Sequence, residues 1–104
     1  MDYELRFHPA VRGDLATIAR LIAETAGRAT AERKLAEIAV AIRALAETPH
    51  KGTLRDEIAP GLRAIPAGRR AVVAFRVDDG ARAVFVHAVT YGGADWIGRA
   101  RERR

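Results

Sequence analysis

The chain has 104 residues, of which 49% are hydrophobic and 30% are charged, and its formal net charge is +5. This composition excludes a disordered chain and is typical of one globular domain, which we expect to span residues 1–104. Because the chain has no cysteine, disulfides and thiolate metal sites are excluded, which fits a cytoplasmic location.

The first half of the chain predicts one strand and two helices. Its opening stretch, MDYELRF, has neither the basic region of a signal peptide nor a membrane-spanning apolar run. In residues 3–8 apolar and polar side chains alternate as in a half-buried strand, which Pro9 ends. Apolar residues then recur at helical spacing from Ala10 to about Ala26 and from about Thr30 to Glu47. Two helices with a short joint are expected to pack as an antiparallel hairpin.

The second half predicts a loop and three strands. The loop covers Thr48 to Gly61, and the short strand LRAIP follows it and ends at Pro66. Two stronger strands run from Arg70 to Val77 and from Ala81 to Tyr91. The tail ADWIGRARERR is expected to form a short helix or a frayed end. The chain therefore predicts an α+β fold of order β-α-α-β-β-β, with an antiparallel sheet packed on the helical hairpin.

The two strong strands predict a sheet with two different faces. A two-residue turn at Asp79-Gly80 places Phe75 opposite Val84, and directly opposed residues share a face. We expect one face to cover the helices; it holds Ala71, Val73, Phe75, Val84, Val86 and Ala88. We expect the other face to be exposed, with an apolar floor between arginines; it holds Arg70, Val72, Ala74, Arg76, Phe85, His87, Val89 and Tyr91. A one-residue change in the turn would reverse this assignment.

Positive charge is concentrated in the second half of the chain. Residues 1–50 carry seven basic and seven acidic side chains, whereas residues 51–104 carry eleven and six. Sixteen of the eighteen basic residues are arginine, whose guanidinium pairs with carboxylate or phosphate, so an acidic protein or a nucleic acid is the favoured partner. A codon bias toward Arg, Ala and Gly would explain the excess of arginine equally well, but not its placement.

Four stretches together carry a resemblance to a known family. They are YELRFHPAVRGDLATIARLI, AIRALAETPHKG, PGLRAIPAGRRAVVAFRV and VHAVTYGGADW. In this order they resemble the ParE/RelE superfamily of toxins from bacterial type II toxin–antitoxin pairs, and more closely its ParE branch. The more specific part is GLR-x-x-P-x-G-R followed by an apolar hairpin that ends in Gly-x-x-Asp.

The resemblance implies a small toxin that a co-encoded antitoxin keeps silent. ParE-type toxins poison DNA gyrase, whereas RelE-type toxins enter the ribosomal A site and cut mRNA. The expected partners are a ParD-like antitoxin and DNA gyrase, with operator DNA contacted only through the antitoxin and no membrane contact. An inactive homologue that acts as a co-repressor with its antitoxin is a further alternative.

The alternative of an mRNA endoribonuclease assigns catalytic roles to three kinds of side chain. His87 and Tyr91 would transfer protons, and Arg70, with Arg76 or Arg63, would surround the phosphate. Against this, the resemblance places Val72 where RelE-type nucleases carry an arginine, and the last strand is followed by GGAD rather than by a cation. The chain has no Gly-rich phosphate loop, and His8 and His50 lie too far apart in the pattern for a metal site, so we predict neither a cofactor nor a metal ion. We therefore favour a toxin that acts by protein–protein contact.

Eight residues are the candidates for partner binding, and each also has a structural interpretation. They are Arg63, Arg69, Arg70, Arg76, Phe85, His87, Tyr91 and Trp96. Among the structural interpretations, His87 is a satisfied core histidine, Tyr91 caps the sheet, and Trp96 packs the last helix onto it. The arginines of the tail either contact a partner or are simply solvated.

Overall fold

The computed structural model describes residues 2–103 and confirms the predicted α+β order. Its elements are β1 (Glu4–Phe7), α1 (Val11–Ala26), α2 (Arg28–Glu47), β2 (Thr53–Leu54), β3 (Leu62–Ala67), β4 (Ala71–Asp78), β5 (Ala83–Tyr91) and α3 (Trp96–Glu102). The two-residue strand β2 lies within the stretch predicted as a loop, and the tail forms the short helix α3. Within residues 2–103, no helix is both long and apolar enough to cross a membrane.

The five strands form one sheet in the order β1-β5-β4-β3-β2. Strands β3 to β5 pair antiparallel as predicted, and the unpredicted β2 adds antiparallel to β3. Strand β1, in contrast, runs parallel to β5, with Glu4 opposite Ala83 and Phe7 opposite Val86. The sheet is therefore mixed rather than wholly antiparallel. This pairing arises because the helical hairpin carries the chain from β1 across the sheet, so that the last strand returns beside the first.

The helical hairpin packs on one face of the sheet, here called the inner face. Gly27, at φ 91°, separates the two helices, and this left-handed backbone lets the chain reverse within one residue. The inner core contains the buried side chains Val11, Ile18, Ile22, Ala31, Ile38, Ile42, Leu45, Ile65, Ala67, Ala71, Val73, Phe75, Val84, Val86 and Val89. Its bulky branched members supply most of the apolar area that folding removes from water.

The turn between β4 and β5 is longer than the two residues predicted. Asp78 pairs with Ala83, so four residues form the turn, and Arg82 adopts φ 51°, which is uncommon outside glycine. The predicted register is therefore wrong by two residues. An even shift preserves the faces, so Phe75 still points to the inner face, now opposite Val86.

A β-bulge at His87 reverses the predicted faces in the last third of β5. Phe75 pairs with Val86 but Ala74 pairs with Ala88, so His87 is the extra residue. Beyond it, Val89 belongs to the inner core, and Ala88 turns to the opposite face. The predicted positions of Ala88, Val89 and Tyr91 are therefore wrong, because the bulge changes the alternation of side chains.

The opposite face, here called the outer face, is not left open as predicted. Helix α3 and the loop before β3 cover its centre, where the buried side chains are small. This outer cluster consists of Ala59, Leu62, Ala74, Ala88 and Ala100, with Ile58 and Trp96 packed against it. The outer face remains accessible at its margins, at Arg6, Arg76 and Phe85 beside β1 and at Val72 and Pro66 toward the β3–β4 turn.

Candidate partner-binding site

The eight candidate residues do not form one continuous surface. Arg76, Phe85 and His87 lie on the outer face, whereas Arg69, Arg70 and Tyr91 lie near the turn between β3 and β4. Arg63 stands apart from both groups, whereas Trp96 lines a separate depression together with Arg70.

In the outer-face group, two arginines flank the aromatic ring of Phe85 at the margin of the sheet beside β1. Arg76 on β4 lies directly opposite Phe85 on β5, and both are half-buried. The guanidinium carbon of Arg6, on the neighbouring β1, lies 5.5 Å from the centroid of the Phe85 ring, within cation–π range. The Arg76 Nε atom is buried and has no hydrogen-bond partner within residues 2–103. This margin presents two guanidinium groups beside one apolar ring.

His87 is buried under the end of α3, with only 8% of its surface exposed. Its Nδ1 atom lies 3.3 Å from the carbonyl oxygen of Arg103, so Nδ1 carries the proton and Nε2 is the acceptor. Nε2 is buried and has no hydrogen-bond partner within the described part of the chain. Burial lowers the pKa of His87, the Arg103 carbonyl opposes this, and the positive charges of Arg76 and His8 lower it further. The folded protein therefore favours a neutral imidazole.

The second group lies at the opposite end of β4. The Arg70 guanidinium carbon lies 5.7 Å from the centroid of the Tyr91 ring, and the Arg70 carbonyl accepts a hydrogen bond from the Gly92 amide. Tyr91 packs against the inner core. Arg69 lines the same small pocket as this pair, together with Lys34 and Glu37, whose Nζ and Oε2 atoms lie 3.7 Å apart. Arg69 and Arg70 are both exposed, which suits contact with an acidic partner.

Arg63 and Trp96 have contacts within the chain that explain them structurally. Arg63 Nη1 donates to the carbonyl oxygens of His50 and Lys51, at 3.3 and 3.4 Å, and thereby holds the loop after α2. Trp96 begins α3 and packs on the outer cluster, as the structural interpretation predicted. The Arg55 guanidinium carbon lies 5.4 Å from the Trp96 ring centroid.

A buried ion pair that we did not predict holds the end of α3 against α1. Asp14, on α1, is only 7% exposed and accepts two hydrogen bonds from the Arg103 guanidinium, at 2.5 and 2.9 Å. Its Oδ2 atom also accepts the Val89 amide at 3.0 Å, where β5 extends beyond the end of β1. The hydrogen bond from Arg103 to this carboxylate raises the pKa of the guanidinium. Asp14 lies three residues after Val11 and four before Ile18, which places an acidic residue on the apolar stripe of α1. This position was the sequence signal that could have indicated a buried carboxylate with a partner.

A second unpredicted feature is an apolar groove of about 250 Å³ between the edge strand β1 and the helices. We call it the β1 groove; its lining comprises Leu5, Phe7, Leu15, Leu35, Ile38, Ala39, Ile42 and Arg43. Phe7 is 49% exposed and also borders a neighbouring depression that contains Arg12. The groove thus combines apolar walls, one arginine in its lining, a second in the adjoining depression and the backbone edge of β1, a combination that peptide-binding surfaces share.

A third cluster lies around the turn between β4 and β5. Tyr3 donates to Asp79 Oδ1 at 2.6 Å, and His50 Nε2 lies 2.9 Å from the same oxygen. The hydrogen bond with Asp79 raises the pKa of Tyr3, and the contacts with Tyr3 and then His50 lower the pKa of Asp79. The Arg82 guanidinium carbon lies 4.9 Å from the Tyr3 ring centroid. These exposed contacts join the start of β1, the loop after α2 and the hairpin turn.

The two residues that would transfer protons in the nuclease alternative, His87 and Tyr91, lie on opposite faces of the sheet. The bulge turns Tyr91 toward the inner core, while His87 contacts Arg103 on the outer side. Arg70 accompanies Tyr91 rather than His87. Within residues 2–103, no group of three or more His, Cys, Asp or Glu side chains is placed to hold a metal ion.

Comparison with known proteins places the chain in a family. Residues 5–96 match the family model described as the ParE toxin of the type II toxin–antitoxin system parDE. A search of curated proteins finds no match.

Three solved structures share the fold at low sequence identity. The chromosomal ParDE system from P. aeruginosa gives a TM-score of 0.73 at 19% identity, covering 86% of this chain and 95% of the other. A RelBE toxin–antitoxin complex from Mycobacterium tuberculosis gives 0.60 at 22% identity, covering 88% and 100%. A mutant of the E. coli toxin RelE in the free state gives 0.66 at 18% identity, covering 99% and 98%. The chain therefore belongs to the ParE toxin family of type II toxin–antitoxin systems.

Proposed function

We propose that this ParE-type toxin inhibits DNA gyrase through protein–protein contact and that a co-encoded ParD-like antitoxin neutralises it. The observation that carries this proposal is the division of His87 from Tyr91 and Arg70 by the sheet. Metal-free RNA cleavage needs a base, an acid and cations around one phosphate. Here the candidate base lies under α3 with its Nε2 atom inaccessible, whereas the cations Arg69 and Arg70 are exposed.

The exposed cations near Tyr91 supply the contact surface of this proposal. Arg69 and Arg70 form a compact basic patch beside the ion pair of Lys34 with Glu37, and the chain carries an excess positive charge of five. Such a patch accelerates association with an acidic surface and weakens at high salt. It needs no movement of α3 to reach a partner.

The test is to incubate the purified toxin with gyrase and relaxed plasmid DNA. We expect loss of supercoiling or accumulation of cleaved gyrase–DNA complexes. Arg70→Glu should weaken this inhibition by at least about tenfold, because a charge reversal at the contact opposes binding. The matched control is Arg20→Glu, an exposed arginine on α1 away from the patch. Unaltered supercoiling at saturating toxin would refute gyrase as the target.

The same preparation tests the nuclease alternative on programmed ribosomes. The favoured function predicts intact message. The observation that favours the nuclease is the neutral, unpartnered Nε2 of His87, which has the protonation state of a general base. Codon-positioned cuts that disappear in both His87→Ala and Tyr91→Phe would establish the nuclease instead.

We place the apolar contact of the antitoxin in the β1 groove rather than on the outer face. The centre of the outer face is covered by α3, whereas the groove has apolar walls with Arg12 and Arg43 nearby. An acidic segment with one apolar stripe complements this arrangement. Charge reversal at Arg70 or Arg76 is also expected to slow association if the segment continues over the sheet.

Phe7→Asp tests this placement, since it puts a carboxylate on the groove wall. We expect the affinity of the full-length antitoxin, measured by calorimetry, to fall by at least about tenfold. Val40→Asp is the matched control, because Val40 is 58% exposed on α2 and lines none of the described pockets. An equal loss of affinity in both variants would show a general effect of the added charge and would contradict the placement of the antitoxin in the groove.

A further inference from the structure

A separate cleft lies between α1 and α3, beside the end of β5. It has a volume of about 470 Å³, and we call it the α1–α3 cleft. One wall is formed by successive turns of α1, at Gly13, Thr17 and Leu21, and the other by α3, at Arg99. Tyr91 stands at the end of β5 between them. The cleft shares no α1 residue with the β1 groove, which lies on the other side of that helix.

Gly13 keeps the first turn of this wall open. Glycine is less favourable than alanine inside a helix, because it loses more backbone freedom on folding. A Cβ atom built on Gly13 meets no atom within 4 Å, so packing within residues 2–103 does not require the glycine. Two turns further along, Leu21 leaves 48% of its surface exposed on the same wall. The wall therefore combines the Thr17 hydroxyl with the apolar surface of Leu21 and contains space at the position of Gly13.

The other wall carries a cation, Arg99, that shares the nearby Asp14 carboxylate with a second guanidinium. The Asp14 carboxylate already binds the Arg103 guanidinium through both oxygens and accepts the Val89 amide. Arg99 Nη1 reaches only to 4.0 Å from Asp14, beyond hydrogen-bond distance. The cleft therefore contains one carboxylate and two guanidinium groups. Its net charge favours a ligand with one negative charge.

We propose that the α1–α3 cleft binds a segment of the antitoxin in which a glutamate or aspartate neighbours a bulky apolar residue. The carboxylate pairs with Arg99, and the apolar side chain lies over Gly13 against Leu21. A nucleic acid fits less well, because Arg103 is already bound to Asp14 and Arg99 alone offers a single phosphate contact, while binding a nucleic acid strand usually requires several. The identification of the partner as the antitoxin rests on the proposed function. The preference of the cleft for a carboxylate beside an apolar side chain does not depend on that function.

The first experiment uses the dipeptide N-acetyl-glutamyl-leucinamide and isotope-labelled toxin. We expect saturable shifts of the NMR signals of Gly13, Thr17, Tyr91 and the Arg99 side chain. The glutaminyl analogue, which lacks the charge, should bind at least about fivefold more weakly, as should Arg99→Gln toxin with the acidic dipeptide. The matched control is Arg33→Gln, an exposed arginine on α2. Absence of saturation, or equal binding of both dipeptides, would overturn the proposed chemistry.

The second experiment uses the full-length antitoxin and fills the cleft. Gly13→Leu places a side chain in the open space, and Ala16→Leu adds a leucine at an exposed position of α1 outside the cleft. We expect Gly13→Leu to lower the affinity at least about tenfold and Ala16→Leu to leave it within about twofold. Equal affinity of both variants and the parent would overturn the assignment of the cleft while leaving the toxin–antitoxin pair intact. No binding to the parent would instead overturn the proposed function and, with it, the partner named for the cleft.

Discussion

The two faces of the sheet are covered by layers of very different chemistry. The inner face packs Phe75 and branched aliphatic side chains against two helices of 16 and 20 residues. The outer face packs mainly alanines against a helix of seven residues. Bulky apolar contacts therefore hold the inner layer, whereas directional contacts at Asp14 and His87 hold the end of the outer layer. This difference indicates that the contacts of α3 with the sheet can be weakened while the inner core stays folded.

Phe75→Ala should have the largest effect on stability, because it removes the largest fully buried side chain of the inner layer. We expect a loss of about 3 to 5 kcal/mol in the free energy of unfolding, measured by urea denaturation. Val40→Ala, at an exposed position, should change it by less than about 0.5 kcal/mol. A loss at Phe75 no greater than at Val40 would contradict the description of the inner layer.

Asp14→Ala should loosen the outer layer selectively. It leaves the Val89 amide without its acceptor and the Arg103 guanidinium with only the His87 carbonyl oxygen within residues 2–103, and we expect a loss of about 2 to 4 kcal/mol. Hydrogen exchange of α3 amides should accelerate more than that of α2 amides. Glu24→Ala, at an exposed position of α1, should change neither the free energy of unfolding nor the exchange of the α3 amides. Uniform acceleration through both helices would mean that the two layers unfold together.

The stability of the protein should fall in mild acid because of His87. Its folded-state pKa is lowered, so the unfolded chain binds more protons once the pH drops below about 6.5, the ordinary value for histidine. The stability is therefore fully present above that pH and decreases as the pH falls toward the folded-state pKa. His87→Gln should remove this component from unfolding curves recorded between about pH 7 and pH 5. Identical pH dependence in both proteins would contradict a buried neutral imidazole.

The smallest effect is expected at the exposed contact between Tyr3 and Asp79, which belongs to neither layer. Asp79→Asn weakens the hydrogen bond that raises the pKa of the Tyr3 phenol and removes the negative charge that raises it further, so the pKa should fall toward its ordinary value. The Tyr3 ring carbon signal, followed by NMR across alkaline pH, measures the change. Asp78→Asn, one residue away in the same turn, should leave the titration where it is.

The helices and the order of the elements could be predicted from the sequence because the apolar period of each segment is regular. Both helices end within two residues of the predicted positions, and only the joint is shorter, since α2 begins at Arg28. The inner-face positions of Val73 and Phe75 were also correct, because the error in register was even.

The outer face could not be predicted, because two local backbone features control it. Gly80 suggested the position of the turn, but Arg82 takes the left-handed conformation, which no residue preference indicates. The bulge at His87 lies in a continuous apolar run without a glycine or proline to mark it. The contact of Asp14 with Arg103 joins residues 89 positions apart, and a single sequence contains no signal for such a pairing.

The parallel pairing of β1 with β5 joins the first strand to the last, with nearly the whole chain between them. A chain synthesised from its N-terminus can form the helical hairpin early, because those contacts are close in sequence. Its first strand has no neighbour to pair with until residues 83–86 have emerged from the ribosome. The complete sheet is therefore a late product of translation, and the nascent toxin remains unfinished until its final segment is made.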